Sequence, residues 1–254
     1  MRYFLDVAYD GTAFHGSQLQ GATPTVQLAV NQALCTLLRV EINTWGASRT
    51  DEGVHALHNV YHFDWDGPLP ATFLYNLNAL LPQAIAAPRL WQATDSDLNA
   101  RFAALSRQYR YRIYQHKDPF LFQRALYYPF HIEPEILRET SSLLLYYRDF
   151  TSFAKRNAQT KTNNCRIYES RWENHGKELH YVVRADRFLR GMVRALVGTQ
   201  LKVARGKMTL DAFQRIIENK DSSGAYFGVA GWGLYLERIE YPEGALTLVQ
   251  GHGK

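Results

Sequence analysis

The sequence predicts an α+β fold built from two similar halves, each with helices packed on one face of an antiparallel sheet. Segments of alternating polarity, typical of strands, are interspersed with segments whose apolar residues recur at helical spacing. The runs 165–173 and 178–186 read as neighbouring strands joined by a short turn around Gly176, which indicates antiparallel pairing. With 254 residues the chain can form one large domain or two smaller ones, each with its own core.

The strands and helices are assigned in chain order from these two periodicities. Strands are predicted over 2–9, 57–65, 85–93, 106–115, 165–173, 178–186 and 233–241. Helices are predicted over 25–39, 70–80, 134–147, 189–203 and 209–219. In the first helix Val26, Val30 and Leu34 recur on one face. We expect Thr23 to open that helix, with Pro24 in its first turn.

The two halves differ in charge. The boundary is expected near 95–105, where polar residues interrupt the apolar pattern, which gives halves of 1–104 and 105–254. The first half has 5 Lys and Arg against 9 Asp and Glu (net −4), and the second has 24 against 15 (net +9). This asymmetry favours a polyanionic partner held mainly by the second half, although many mildly basic proteins bind no polyanion.

Composition favours a folded protein of the cytoplasm. Hydrophobic residues make up 46% and charged residues 21% of the chain, which is typical of globular proteins. The first residues lack the features of an export signal, and no apolar run has the length of a membrane span. Two cysteines, Cys35 and Cys165, suggest neither a disulfide framework nor a zinc site. His58 and His62 would lie roughly 13 Å apart along one strand, too far to share an ion, so we expect no metal.

Asp51 is the most informative residue of the chain. Residues 48–56 read Ser-Arg-Thr-Asp-Glu-Gly-Val-His-Ala and place Asp51 in a polar turn between Gly46 and Gly53. Turns of this kind present functional groups at loop tips. An Asp beside a Gly is also common in strand-to-strand turns that have no function. Local chemistry alone leaves both interpretations open.

Cations and aromatic rings alternate in the second half. In the strand predicted at 106–115, Tyr109 and Tyr111 share one face and Arg110 and Arg112 share the other. Such a strand is either a charged surface with aromatic cross-strand packing or a platform that stacks a base while arginines hold phosphates. Further cations are either solvated faces or a phosphate-tracking surface. These are Lys155, Arg156, Lys161, Arg166, Arg184, Arg187 and Arg190.

The nonapeptide around Asp51 resembles the catalytic loop of the tRNA pseudouridine synthases of the A type, whose pattern is Gly-Arg-Thr-Asp-Ala-Gly-Val-His-Ala. Other blocks similar to that family follow in the same order along the chain. They are 9–16 (Tyr-Asp-Gly-Thr-Ala-Phe-His-Gly) with Gln18 and Gln20, 24–27 (Pro-Thr-Val-Gln), 100–111, 149–153, 192–194 (Met-Val-Arg) with Val197 and Gly198, and 233–236 ahead of Tyr241 and Pro242.

The resemblance implies a fold and an activity. The two halves would join their sheets edge to edge into one mixed sheet flanked by helices, with the active-site cleft between them. The protein would flip uridines out of the anticodon stem-loop of tRNA, at nucleotides 38–40, and isomerise them to pseudouridine. It would need no cofactor and would act as a homodimer. A non-catalytic RNA-binding scaffold of this fold and an RNA N-glycosidase are the alternatives.

The resemblance also implies roles for single residues. Asp51 would be the nucleophile, Arg194 the cation that keeps it ionised, and Tyr109 the ring that stacks on the uracil and accepts the C5 proton. Arg194 is otherwise a surface helix position, or pairs with Asp186 or Asp211. Arg49 would enter the space left by the flipped nucleotide, or else forms an ion pair within the loop. The expected substrate-binding residues are Arg49, Arg107, Arg110, Lys155, Arg156, Arg187, Arg190 and Leu234.

Three positions and one stretch depart from the family pattern. Ser48 replaces the glycine before Arg49, and Ser17 stands where a tryptophan is usual. Glu52 replaces a small residue and would raise the pKa of Asp51 unless it points away or finds its own cation. The stretch 226–232 also differs. None of these changes removes a predicted catalytic group, but they bear on rate and substrate range.

Overall fold

The computed structural model describes residues 1–155 and 161–251, and the chain divides into two compact units. Unit 1 combines Met1–Leu105 with Leu236–Lys254, and unit 2 is Ser106–Tyr235. The strands in the described residues are β1 (Arg2–Tyr9), β2 (Trp45–Gly46), β3 (His55–Asp64), β4 (Ile85–Ala93), β5 (Ser106–Tyr114), β6 (Leu126–Tyr127), β7 (Ile167–His175), β8 (Glu178–Ala185), β9 (Leu234–Glu240) and β10 (Leu246–Gly251). The α-helices there are α1 (Val26–Leu38), α2 (Phe73–Leu80), α3 (Pro134–Leu143), α4 (Met192–Ala204) and α5 (Leu210–Asn219).

Unit 1 is an antiparallel sheet with two helices. Its strands lie in the order β10-β4-β1-β3, and the short β2 pairs with β3. Helices α1 and α2 contact each other, and α2 contacts β4. The side-chain amide of Asn78 attaches α2 to that strand, because its nitrogen donates to the carbonyl of Ala87 and its oxygen accepts the N–H of Ala87, both at 2.8 Å.

Unit 2 has a sheet of order β5-β8-β7, and α3, α4 and α5 contact one another. These three strands are antiparallel, whereas β6 pairs with β5 in parallel, so the sheet is mixed. The indole N–H of Trp172 donates to the side-chain oxygen of Gln200 at 2.9 Å and joins β7 to α4. The predicted α+β fold, with a mixed sheet flanked by helices, is confirmed.

Helix ends differ from their predicted positions, because side-chain caps and turns decide them. α1 is capped by Thr25 and not by Thr23, since the Thr25 hydroxyl accepts the N–H of Leu28 at 3.2 Å. α4 begins at Met192, three residues after the predicted start, because Gly191 has a left-handed backbone with φ +73°. Residues 144–147, predicted as the end of α3, include a separate 3-10 turn, Leu144–Tyr146.

The C-terminal strand β10 was not predicted from the sequence. It pairs with β4 from Leu246↔Ala93 to Gly251↔Arg89. The described residues 236–251 therefore belong to unit 1, whereas the boundary drawn from the sequence keeps them in the second half. Such a pairing is set by contacts distant in sequence, which local periodicity does not report.

Candidate active site

Asp51 lies on the turn between β2 and β3, and its backbone is fixed on the C-terminal side. The N–H of Val54 donates to the carbonyl of Asp51 at 3.2 Å and closes a four-residue turn. Gly53, at the third position of this turn, has φ +72°, a conformation that favours glycine. The Asp51 side chain is partly buried, and Arg49, two residues earlier, is exposed. The predicted pair of Asp51 and Arg49 therefore shares one loop of unit 1.

Thr50, the residue before Asp51, makes hydrogen bonds through its N–H, its carbonyl and its hydroxyl. The Thr50 N–H donates to the Ser17 hydroxyl at 2.8 Å, and the Ser17 N–H donates to the Thr50 carbonyl at 3.0 Å. The Thr50 hydroxyl lies 2.8 Å from the hydroxyl of Tyr9. Both Ser17 and Thr50 are buried. Three hydrogen bonds therefore fix the orientation of the peptide that leads into Asp51.

A buried polar network supports this arrangement from β1 and β3. The Asn59 side-chain N–H₂ donates to the Tyr9 hydroxyl at 3.2 Å and to the Ser48 carbonyl at 3.1 Å. Burial raises the pKa of Tyr9 to about 12, so its hydroxyl keeps a proton. Because the Tyr9 oxygen accepts from Asn59, that proton is available for the hydroxyl of Thr50.

Two glycines allow the first loop of the chain to approach the catalytic turn. A Cβ on Gly11 would lie 2.0 Å from the carbonyl oxygen of Val54, and one on Gly16 would lie 2.9 Å from that of Thr50. Gly16 also has φ +90°. Both positions need glycine because the backbones are in direct contact. The block 9–16 is therefore part of the support of Asp51.

The side chain of Glu52 is exposed, whereas that of Asp51 is partly buried. The Glu52 side chain is 72% exposed, and its Oε1 lies 3.4 Å from Nδ1 of His15, an ion pair when the histidine is protonated. The carboxylate of Glu52 is therefore screened by water, and His15 adds a cation only when its ring is protonated.

In unit 2, Tyr109 and Arg107 lie on the same face of β5 and are both buried. The Tyr109 ring packs edge-on against Phe188, with 5.1 Å between ring centroids. The Arg107 guanidinium donates to the carbonyl of Asp186 at 2.9 Å. Both side chains thus contact the segment that connects β8 to α4.

Arg194 lies in the first turn of α4, where its Nε–H donates to the carbonyl of Val229 at 2.9 Å. This turn has no acidic residue, and a cation at a helix N-terminus opposes the helix dipole. The bond to Val229 fixes the Arg194 side chain at this end of α4. The Tyr111 hydroxyl donates to the carbonyl of Ala230 at 2.7 Å, which fixes the same segment shortly before the buried Leu234.

The remaining predicted cations fall into three groups. Lys155 and Arg190 are exposed and neighbouring, since the Lys155 N–H donates to the Arg190 carbonyl at 2.9 Å; Arg187 is partly buried. Arg156 lies outside the described residues. Arg110 lies 3.3 Å from a carboxylate oxygen of Glu173, an ion pair that matches the charged-surface interpretation of β5.

Sequence reasoning missed the residues that hold Asp51 rather than those predicted to react. Tyr9 was quoted as part of a block and Ser17 as a departure, but neither was given a role. Their bonds to Thr50 span 41 and 33 positions in the chain, so no local pattern reports them. Asn59, whose side chain joins the same network, is one of several polar residues in an otherwise apolar strand.

Residues 1–155 and 161–251 contain neither a metal-binding cluster nor a membrane-spanning helix. In that part of the chain no group of three or more His, Cys, Asp or Glu side chains is placed to hold a metal ion. Over the same residues no helix combines the length and apolar character needed to span a membrane.

The amino-acid sequence is similar to those of known proteins from one family. A family model described as tRNA pseudouridine synthase matches residues 147–242. The tRNA pseudouridine synthase A of Parabacteroides distasonis is 42% identical over 244 residues, covering 95% of this chain and 96% of the relative. That of Bacillus subtilis is 35% identical over 246 residues, covering 95% of this chain and 99% of the relative. The chain belongs to the tRNA pseudouridine synthase A family.

Proposed function

We propose that this protein converts uridine to pseudouridine in the anticodon stem-loop of tRNA, at nucleotides 38–40, with Asp51 as the nucleophile. The observation that carries the proposal is the similarity to tRNA pseudouridine synthase A along 95% of the chain, which includes the Asp51 loop. The restrained backbone of that loop supports it, because a nucleophile must be held in a reactive orientation. The protein acts as an isomerase and needs no cofactor in this proposal.

The reaction exchanges one bond for another. The bond from N1 of uracil to ribose C1′ breaks, the base turns, and a bond from C5 to C1′ forms. Attack by the Asp51 carboxylate at C1′ bonds Asp51 to the ribose and displaces uracil as an anion that stays in the site; C5 of the turned base then attacks C1′ and displaces the carboxylate. Attack at C6 instead bonds Asp51 to the base, and the carboxylate is eliminated from C6 after the bond from C5 to C1′ has formed. In both routes the hydrogen on C5 finally leaves as a proton. Uridine and pseudouridine have the same composition, so no other reactant is needed.

Residues of unit 2 supply the other roles in this proposal. Arg194 provides the positive charge that favours an ionised carboxylate, and its bond to the carbonyl of Val229 holds the guanidinium in place. Tyr109 stacks on the flipped uracil, and its packing against Phe188 restricts the ring. Tyr109 also accepts the C5 proton, a step that requires its phenolate form, because a phenol with an ordinary pKa of about 10 is a weak base. Leu234 adds an apolar contact for the base.

Binding of tRNA rests on the basic second half. Lys155, Arg187 and Arg190 contact phosphates in this proposal, and Arg49 takes the place of the flipped nucleotide. Arg107 and Arg110 support this surface through their bonds to the carbonyl of Asp186 and to Glu173. The net charge of +9 over 105–254 supports a polyanion on this half. The protein acts in the cytoplasm as a homodimer whose subunits share one tRNA. Sedimentation with and without tRNA measures the dimer, and a monomer under both conditions contradicts it.

The activity is tested with tRNA that carries tritium at C5 of uridine. An isomerase releases tritium to water without free uracil. Free uracil indicates an N-glycosidase, and binding without either product indicates a non-catalytic scaffold. Nuclease digestion and sequencing of the product then locate the modified uridines, and modification outside nucleotides 38–40 contradicts the proposed substrate range.

The role of Asp51 is tested by Asp51→Asn beside Glu52→Gln. Both variants remove one negative charge from the same turn. We expect Asp51→Asn to lower turnover by at least about 10⁴-fold, as loss of a nucleophile does, while tRNA binding persists. Glu52→Gln should stay within about threefold of the wild type, because Glu52 is exposed. Turnover by Asp51→Asn near the wild-type rate would refute the assignment.

A further inference from the structure

Ser17 contacts the residue before the reacting carboxylate through both its backbone and its side chain. Its hydroxyl accepts the Thr50 N–H at 2.8 Å and its N–H donates to the Thr50 carbonyl at 3.0 Å. Its own carbonyl accepts the N–H of Gln27 in the first turn of α1 at 3.0 Å. Ser17 is 2% exposed, so these bonds are shielded from water. Ser17 therefore links the catalytic turn to the start of a helix.

Thr50 transmits this restraint to Asp51 through a single planar peptide. With its N–H, carbonyl and hydroxyl all bonded, Thr50 can rotate about neither backbone torsion without breaking a hydrogen bond. On the other side, the turn closed by Val54 fixes the carbonyl of Asp51. The Asp51 backbone is therefore restrained at both ends, and its carboxylate position depends on the side-chain torsions.

We infer that Ser17 is a positioning residue for uridine isomerisation, which acts through Thr50 to hold the Asp51 carboxylate in its reactive orientation. This inference rests on the proposed function, since it assigns a part in that reaction. The serine hydroxyl is the necessary group, because it accepts the N–H of the buried Thr50. Its loss leaves a buried donor unsatisfied and loosens the loop.

The test is Ser17→Ala, measured as single-turnover rate and tRNA Kd. We expect the rate at saturating enzyme to fall by about 10- to 100-fold, the range produced by misplacement of a reacting group. The Kd should stay within twofold, because the buried Ser17 does not contact RNA. Ser170→Ala is the matched control. It removes a buried hydroxyl bonded to Tyr181 at 2.8 Å in unit 2 and should leave the rate within twofold.

Tyr9→Phe gives a second variant if Ser17→Ala fails to fold. It removes the hydroxyl that bonds the Thr50 side chain and accepts from Asn59, but it keeps both bonds between Ser17 and the Thr50 backbone, so we expect a smaller loss of rate with unchanged Kd. The double variant should lose less than the product of the two single losses, because both residues restrain Thr50. A Ser17→Ala rate within twofold of the wild type overturns the inference. Equal losses in Ser17→Ala and Ser170→Ala also overturn it, since they indicate a general loss of structure.

A measurement without tRNA separates this inference from the proposed function. Amide hydrogen exchange at Thr50 should be slow in the wild type, faster in Ser17→Ala and unchanged in Ser170→Ala. If the wild type makes no pseudouridine, the proposed function fails, yet exchange still reports whether Ser17 holds the loop. Thr50 exchange that is equally fast in the wild type and Ser17→Ala overturns the positioning role in either case.

Discussion

Gly11 shows how a residue without a side chain supports the catalytic turn. A Cβ at this position would lie 2.0 Å from the carbonyl oxygen of Val54, so either the turn or the Gly11 segment must move. We expect Gly11→Ala to lower the free energy of unfolding by about 1–3 kcal/mol, as overpacking does. It should also slow single-turnover isomerisation, because Val54 closes the turn of Asp51. Urea unfolding and the tritium assay measure the two effects.

Gly244→Ala is the control for that prediction. Gly244 has φ +74°, but nothing lies within 4 Å of its would-be Cβ, so the substitution strains only the local backbone. We expect a stability loss of about 1 kcal/mol and an unchanged rate. If Gly11→Ala matched Gly244→Ala in rate, the close approach of Gly11 to the turn would have no bearing on the reaction.

Individual residues differ in how well the sequence predicts them. Asp51 was predicted because its motif is contiguous and belongs to a family pattern. Ser17 and Asn59 carry no such motif, and their importance comes from partners brought close only by folding. The sequence alone does not distinguish a serine hydroxyl at position 17 that faces water from one that accepts a buried N–H. A contiguous motif such as that of Asp51 can therefore be recognised in the sequence, whereas residues that act through contacts formed on folding cannot.

The start of α1 is an element boundary that affects the catalytic loop. Thr25 caps the helix through the Leu28 N–H, and Gln27 in the first turn donates to the carbonyl of Ser17. We expect Thr25→Ala to lower the free energy of unfolding by about 1 kcal/mol, as removal of an N-cap does. Thr25→Ser keeps the hydroxyl and should recover most of this loss. Urea unfolding of both variants is the measurement, and equal losses contradict the capping role.

His62 makes β3 sensitive to pH. Burial, with a smaller effect of the charge on Arg2, lowers the pKa of His62 to about 4, and its ring stacks on Trp45 with centroids 5.3 Å apart. The folded-state pKa lies below the unfolded value of about 6.5, so the unfolded chain binds more protons between them. The contribution of His62 to the free energy of unfolding is therefore greatest above about pH 6.5, and it should decline by up to about 3 kcal/mol as pH falls to about 4.

The measurement is urea unfolding of the wild type and His62→Gln between pH 7.5 and pH 4.5. Other groups titrate in this range, so the quantity that matters is the difference between the two proteins at each pH. We expect the stability advantage of the wild type to shrink steadily below about pH 6.5. A difference that does not change with pH would show that His62 is not neutral in the fold, or that it titrates normally there.

Secondary structure followed periodicity closely where an element is long. β1 and β4 occupy the predicted residues, although only β4 alternates between more and less buried positions; residues 3–7 of β1 are all buried. The short β2 and β6, of two residues each, have no detectable period. Helix ends were displaced because single hydrogen bonds and left-handed residues decide them, as at Gly191. Local patterns thus predict which elements exist better than where they stop.

Charge distributed along the chain leads to a prediction about tRNA affinity. The second half carries net +9, and the exposed Lys155 and Arg190 are neighbours within it. Each phosphate contact releases counterions, so affinity falls as salt rises, with a slope set by the number of contacts. We expect Lys155→Gln and Arg190→Gln each to weaken binding and to reduce the slope of log Kd against log salt by about 1. Filter binding across a salt series measures both quantities.

Arg138→Gln separates phosphate contact from net charge. Arg138 is also exposed in unit 2 and also carries one positive charge, but it is paired with Glu135 on α3. If Lys155 and Arg190 contact phosphates directly, their variants show a smaller slope of log Kd against log salt. Arg138→Gln keeps the wild-type slope, because a charge far from the tRNA backbone releases no counterion. If all three variants shift Kd alike with an unchanged slope, binding depends on the overall field of the basic half and the two residues lose their assigned role. Single-turnover rates at saturating enzyme should stay near the wild-type value in all three, since none of them is proposed to touch the reacting uridine.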